Sequence, residues 1–210
     1  MRTRLAFAAE ERGSVVLLVL VFMVLATALG TGLTALAVTE RLAADNYRVG
    51  TETAGAADAA AEFVTRELGA RPEWTTALCC GNRSVLADGT RVPVLPSGDV
   101  VDLDRETTSL QSQTDAESGT LVNREQWQLF AWGPLERLAG PVPQRALPYA
   151  VVWIADDRGE SDGNPFSDAN GLVVVRAQAR GARGTIRTLE RVLRRGSGPA
   201  PDIISWREIR

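Results

Sequence analysis

From Ser14 to Val38 the chain reads SVVLLVLVFMVLATALGTGLTALAV, without a charged residue. The run is ~25 residues long, more than the ~20 a helix needs to cross a bilayer. In hydrocarbon only a helix satisfies its own backbone, and the polar stripe of a soluble core helix is missing, so the pattern predicts one membrane-spanning helix. From Thr39 the sequence turns polar but keeps helical spacing, with Leu42, Val49, Thr53, Ala57, Ala60, Val64 and Leu68 at steps of three, four and seven. Alanines dominate residues 54–61, and the helix is predicted to end near Gly69, with Pro72 just beyond. A continuous Ser14–Leu68 helix would be a rod of ~80 Å.

Residues 71–125 are irregular. Asp88-Gly89 between short apolar runs predicts a hairpin in VLADGTRVPV, VLPSGDVVDL predicts a short strand, and the polar QSQTDAESG from Gln111 to Gly119 predicts an exposed loop. Strand patterns follow in Gln126–Trp132, Tyr149–Ala155 and Gly171–Arg180, the last placing Val173, Val175, Ala177 and Ala179 on one face. The proline-bearing stretch Gly133–Pro148 predicts a connection. Thr185–Arg194 fits helix or strand; the tight glycine-flanked turn before it favours a strand. Gly196–Pro201 reads as a linker and DIISWREIR as an edge strand.

The segment before the apolar run, MRTRLAFAAEERG, carries Arg2, Arg4 and Arg12, which keep their end of a span cytoplasmic. The apolar run is long and its glycine, Gly13, precedes it, unlike a secretory signal with its cleavage site behind a short apolar core. The 210 residues leave room for the span and one domain with its own core. Composition narrows the chemistry. There is no His, and all 23 basic residues are Arg. His-dependent triads, ordinary zinc sites, the phosphate-loop lysine and Schiff-base chemistry are therefore excluded. The net charge of -3 gives no reason to expect a nucleic-acid partner. Cys79 and Cys80 are adjacent and the only cysteines. They can form a vicinal bond, pair with another subunit, or stay reduced and buried; the vicinal or buried state is favoured.

In order and spacing, RGSVVLLVLVFMVLATALG (Arg12–Gly30), TERLAADN (Thr39–Asn46), ETAGAADAA (Glu52–Ala60), YAVVWIADD, the GLVVV strand, the Arg-rich strand ending at Arg195 and the terminal ISWRE together resemble PilX-type minor pilins of type IV pili. The resemblance leaves Arg71–Glu125 uncovered. It implies an α+β pilin lollipop: a leader over 1–13, a helix over 14–69 with its transmembrane half at 14–38, and an extracytoplasmic domain over 70–210 with an antiparallel sheet. It implies cleavage by prepilin peptidase between Gly13 and Ser14, N-methylation of Ser14, and partnership with major and minor pilins. The protein would sit in the inner membrane with its amino terminus cytoplasmic, and then in the pilus at the cell surface. Leu18 is a departure: major pilins carry Glu at this fifth mature position, and its loss favours a tip or priming role. A non-enzymatic structural subunit that initiates or caps assembly is the leading expectation. The alternatives are a pseudopilin of type II secretion and a single-span anchored binding or sensor domain.

Two side-chain clusters are candidate sites. Asp156, Asp157, Glu160, Asp162, Asn164, Asp168 and Asn170 crowd one glycine-punctuated loop. Calcium takes six to eight such oxygens. Against this, the spacing is not that of an EF-hand, and Asp, Asn and Gly also favour plain turns, so a solvated acidic loop without a cofactor is the leading expectation. Paired carboxylates can also serve glycoside hydrolysis, for which the loop offers no pocket. Arg176, Arg180, Arg183, Arg187, Arg191, Arg194 and Arg195 form a basic band opposed locally only by Glu190. It is expected to be a solvated sheet face rather than a site for phosphates. Gly30 and Gly32 could allow close helix packing, or be glycines of the kind spans commonly tolerate.

Overall fold

The computed structural model describes residues 7–95, 97–118, 123–139, 148–198 and 200–209. The predicted helix is continuous: α1 runs from Phe7 to Gly69. The chain divides into two units, Met1–Tyr47 and Arg48–Arg210, so α1 contributes to both. In the first unit the apolar side chains of residues 14–38 are exposed. Four threonines there do not break the helix. Thr27, Thr31, Thr34 and Thr39 each donate a hydroxyl to a backbone carbonyl three or four residues earlier, at 2.8–3.0 Å. Their polar atoms are thus satisfied inside the helix itself.

In the second unit the helical stripe becomes a packing surface. Val49, Thr53, Ala57, Ala60, Val64 and Leu68 are buried, as their spacing predicts, whereas Leu42 is exposed. They pack against a five-stranded antiparallel meander in the order β1-β2-β3-β4-β5. Its strands are β1 (Gln128–Pro134), β2 (Tyr149–Asp156), β3 (Leu172–Arg180), β4 (Ile186–Arg194) and β5 (Asp202–Ile209). The face toward α1 carries Ala150, Val152, Ile154, Val173, Val175, Ala177, Ala179, Leu189 and Leu193. This gives an α+β architecture with a long N-terminal helix packed on an antiparallel sheet. Small residues on both sides allow close approach. At Gly181 a Cβ would lie 2.1 Å from the Thr53 hydroxyl, so only glycine fits.

The opposite face of the sheet is also covered, which the sequence pattern does not predict. Helix α3 (Leu103–Ser118) lies over it, burying Leu103 and Leu110 with Trp127, Trp132, Val151, Trp153 and Val174. Strand β2 is consequently buried along its whole length. The expected exposed loop from Gln111 to Gly119 is therefore incorrect up to Ser118; Gly119 lies outside the described residues. Asp102 caps α3, accepting the backbone N–H groups of Asp104 and Arg105. Two threonines replace apolar residues on its inner face: Thr107 accepts from Trp153 Nε1 and Thr114 from Trp127 Nε1, both at 2.8 Å.

The predicted hairpin at 85–94 is also incorrect. Asp88-Gly89 does turn, but its flanks form no strands, and residues 84–88 run along β1, donating backbone N–H groups to Phe130 and Trp132. The antiparallel bridge lies further on, between Val94 and Val100. The connection after β1 includes the short helix α4 (Glu136–Ala139). Of the stretch Thr185–Arg194, Ile186–Arg194 form strand β4, and DIISWREIR contains the edge strand β5.

Candidate functional site

The expected processing site falls within α1: Gly13 and Ser14 are both helical, while Arg2 and Arg4 lie outside the described residues. Leu18 is 69% exposed on the same helix. A single apolar helix near the N-terminus is compatible with a single-pass membrane anchor. Around Gly30 and Gly32 nothing within 4 Å would meet a side chain.

The acidic loop between β2 and β3 does not act as one cluster. Asp162 and Asn164 are exposed, and their side chains accept the N–H groups of Asn164 and Phe166 in simple turns. The Asp157 carboxylate accepts from the Gly159 N–H and from Asn170 Nδ2. Asp156, Glu160 and Asp168 converge instead, each offering a carboxylate oxygen within 4.8 Å of the others. Asp156 ends β2 and is fully buried. Its Oδ2 accepts from Asn123 Nδ2 at 2.8 Å, and the same nitrogen donates to the Asp157 carbonyl at 2.9 Å. Burial, reinforced by the nearby Glu160, pushes Asp156 up to about 7 despite the Asn123 hydrogen bond.

Glu160 is held through Oε1, which accepts the backbone N–H groups of Ala169 and Asn170. Asp168 accepts the Gly171 N–H at 2.7 Å and pairs with Arg195 at 3.1 Å. Burial raises Asp168, and these two contacts oppose the rise. Gly171 has φ of +77°, a conformation that favours glycine and turns the loop into β3. Arg195 stacks on Trp74, 4.7 Å from the ring centre, and donates to the Pro72 carbonyl. Trp74 Nε1 in turn donates to the Leu68 carbonyl at the end of α1. The cluster is thereby tied to the helix terminus. It shuts its carboxylates away from any sugar-sized substrate, unlike the accessible pair that glycoside hydrolysis needs.

Sequence reading grouped Asp162 and Asn164 with this cluster and missed Asn123, 33 residues before Asp156. No local spacing signals such a partner.

The basic band is not a free cationic face. Arg180 pairs with Glu106 of α3, Arg187 with Glu208, Arg191 with Asp58 and Glu62 of α1, Arg194 with Asp202 and Arg195 with Asp168. Glu190 is shared between Arg176 and Arg207. The acids come from distant segments, so the local tally of a single Glu190 understated them. Strand alternation also divides the band: Arg191 faces α1, whereas Arg176 and Arg180 lie on the α3 side.

Cys79 and Cys80 form a vicinal disulfide at the end of α2 (Thr75–Cys79), and both are exposed rather than buried. A cleft of about 640 Å³ opens between α3 and the β3–β4 turn, lined in part by Asp102, Arg105, Glu106, Arg180 and Ile186. Compared with protein-family models, curated proteins and solved structures, the chain matches none.

Proposed function

We propose that the chain is a minor pilin, a structural subunit that works by assembly rather than catalysis and helps to initiate or cap a type IV pilus at the inner membrane. One observation carries the proposal. A single uninterrupted helix is charge-free and exposed over 14–38, then supplies the buried stripe Val49–Leu68 of a β-sheet domain. Such a helix serves lipid or neighbouring apolar helices with one end and its own domain with the other. Prepilin peptidase cuts after Gly13, and Ser14 becomes the methylated amino terminus. The partners are major and minor pilins and the lipid of the inner membrane.

The absence of acid at Leu18 supports an end-specific role, because a subunit without that charge cannot pair through it with a neighbour's amino terminus. A pseudopilin of type II secretion would share all these features. A single-span anchored binding domain is the reading favoured by the 640 Å³ cleft, which has the size of a ligand pocket. Intact-mass measurement of the protein from membrane and sheared-pilus fractions tests the proposal. A mature chain beginning at methylated Ser14, present in pili, is expected. An intact Arg2–Arg12 leader in assembled material rejects the pilin reading and leaves the anchored binding domain.

A further inference from the structure

Asp156 Oδ1 and Glu160 Oε2 are buried and lack any hydrogen-bond partner. The two residues are 0% and 7% exposed. A third orphan, Asn123 Oδ1, belongs to the buried amide whose nitrogen reaches Asp156. Unpartnered buried oxygens are costly, and more so on carboxylates. The cluster collects three acids, Asp156, Glu160 and Asp168, and among the described residues Arg195 is the cation paired directly with it. The group that would satisfy it is a cation that accepts several oxygens at once.

We propose that Asp156, Glu160 and Asp168 bind one calcium ion, with the Asn123 carbonyl a fourth oxygen beside them. The donors are oxygens only, which selects a hard cation over zinc or copper. Opposed ligands of calcium lie ~4.6–5.2 Å apart, twice the metal–oxygen distance, and the three carboxylate oxygens fall within 4.8 Å of one another. Calcium accepts irregular shells of six to eight oxygens from a loop, whereas magnesium demands an octahedron and holds its waters. The ion would join the end of β2, the loop through Asp168 and the segment carrying Asn123. Through Arg195 and Trp74 it would also brace the end of α1. This inference stands independently of the pilin reading, since it uses only the second unit.

The test uses the full chain in detergent micelles, with calcium chloride and terbium chloride as probes. One calcium per chain is expected, with an affinity roughly that of extracellular calcium modules, 10⁻⁴–10⁻³ M. Terbium emission sensitised by Trp74 should be displaced by calcium and not by equal magnesium. Tryptic cleavage after Arg158 should slow about tenfold with calcium. Glu160→Gln and Asp156→Asn should each weaken binding about tenfold or more, while Asp162→Asn, at an exposed turn, leaves it unchanged. If either cluster variant loses its near-UV circular dichroism, the wild-type stoichiometry and the magnesium comparison decide alone. No saturable calcium binding, an equal magnesium response, or equal losses in Asp162→Asn and a folded Glu160→Gln would each overturn the proposal. So would a folding stability of the second unit that saturating calcium leaves unchanged.

Discussion

The two ends of α1 face different surroundings: residues 14–38 carry no charge, whereas residues 49–68 include Glu52, Asp58, Glu62, Arg66 and Glu67. Residues 14–38 are rich in Val and Leu on every side, all exposed. Residues 49–68 bury a single stripe in which Ala56, Ala57, Ala60 and Ala61 meet the alanines of β2 and β3. Lipid imposes no shape, so bulky side chains can point anywhere as long as they carry no charge. A sheet imposes shape, so the same helix must become small and one-sided where it lies on β-strands. Charge, side-chain size and periodicity together distinguish the two surroundings.

The sharpest way to break this contrast is one substitution made twice. Ala60→Asp places an unpaired charge in the domain core and should cost about 4 kcal/mol or more, enough to prevent folding of the second unit. Ala28→Asp should leave urea unfolding of the second unit unchanged and instead impair membrane insertion by about 3 kcal/mol. Equal effects on the domain from both would show that the two regions are not distinct.

Next in size is the close approach of β3's end to α1. Gly181→Ala forces a Cβ against the Thr53 hydroxyl and should destabilise the unit by about 1–3 kcal/mol. Thr53→Ala removes that hydroxyl, so the double variant should recover most of the loss, read as a non-additive urea-unfolding cycle. Strict additivity would mean that the strain lies elsewhere.

These contacts also explain what was legible in the sequence. The α1 stripe, β2 and β3 were readable because their partners are apolar and their periods regular. Helix α3 was not, because two of its inward positions are Thr107 and Thr114, which serve the indoles of Trp153 and Trp127. A largely polar surface helix can cover a sheet through a few inward residues when its hydroxyls serve buried tryptophans. The acidic site was half legible. The loop's composition marked it, but backbone turns claimed Asp162 and Asn164, and Asn123 came from another segment. Ion pairing was least legible, since Arg191 meets its acids more than 120 residues away.

Arg191 supplies the third comparison. Its side chain is largely buried on the α1 side of β4 and reaches Asp58 and Glu62 at 2.6 and 3.3 Å. The acids are partly exposed, which limits the electrostatic gain, so Arg191→Met should cost only about 1 kcal/mol, with most apolar packing retained. High salt should narrow the difference between the two proteins in urea. A loss of several kcal/mol would show that charge, rather than small apolar residues, holds α1 to the sheet.

Leu18→Glu should have the smallest effect on the fold and the most informative effect on assembly. Leu18 lies in the first unit and is exposed, so the substitution should shift unfolding of the second unit by less than about 0.5 kcal/mol. An isolated acid near the end of a span is tolerated far better than one at its centre. If the proposed role is correct, the wild-type chain accepts a neighbour's Glu at its amino terminus but offers none in return, and this one-sided pairing suits an end of the filament. Restoring the acid should make the interaction two-sided and raise the protein's abundance in sheared filaments relative to membranes, measured by quantitative mass spectrometry. Wild-type protein spread evenly along pili at the level of the major subunit would contradict the end-specific role, because Leu18 would then impose no limit on incorporation.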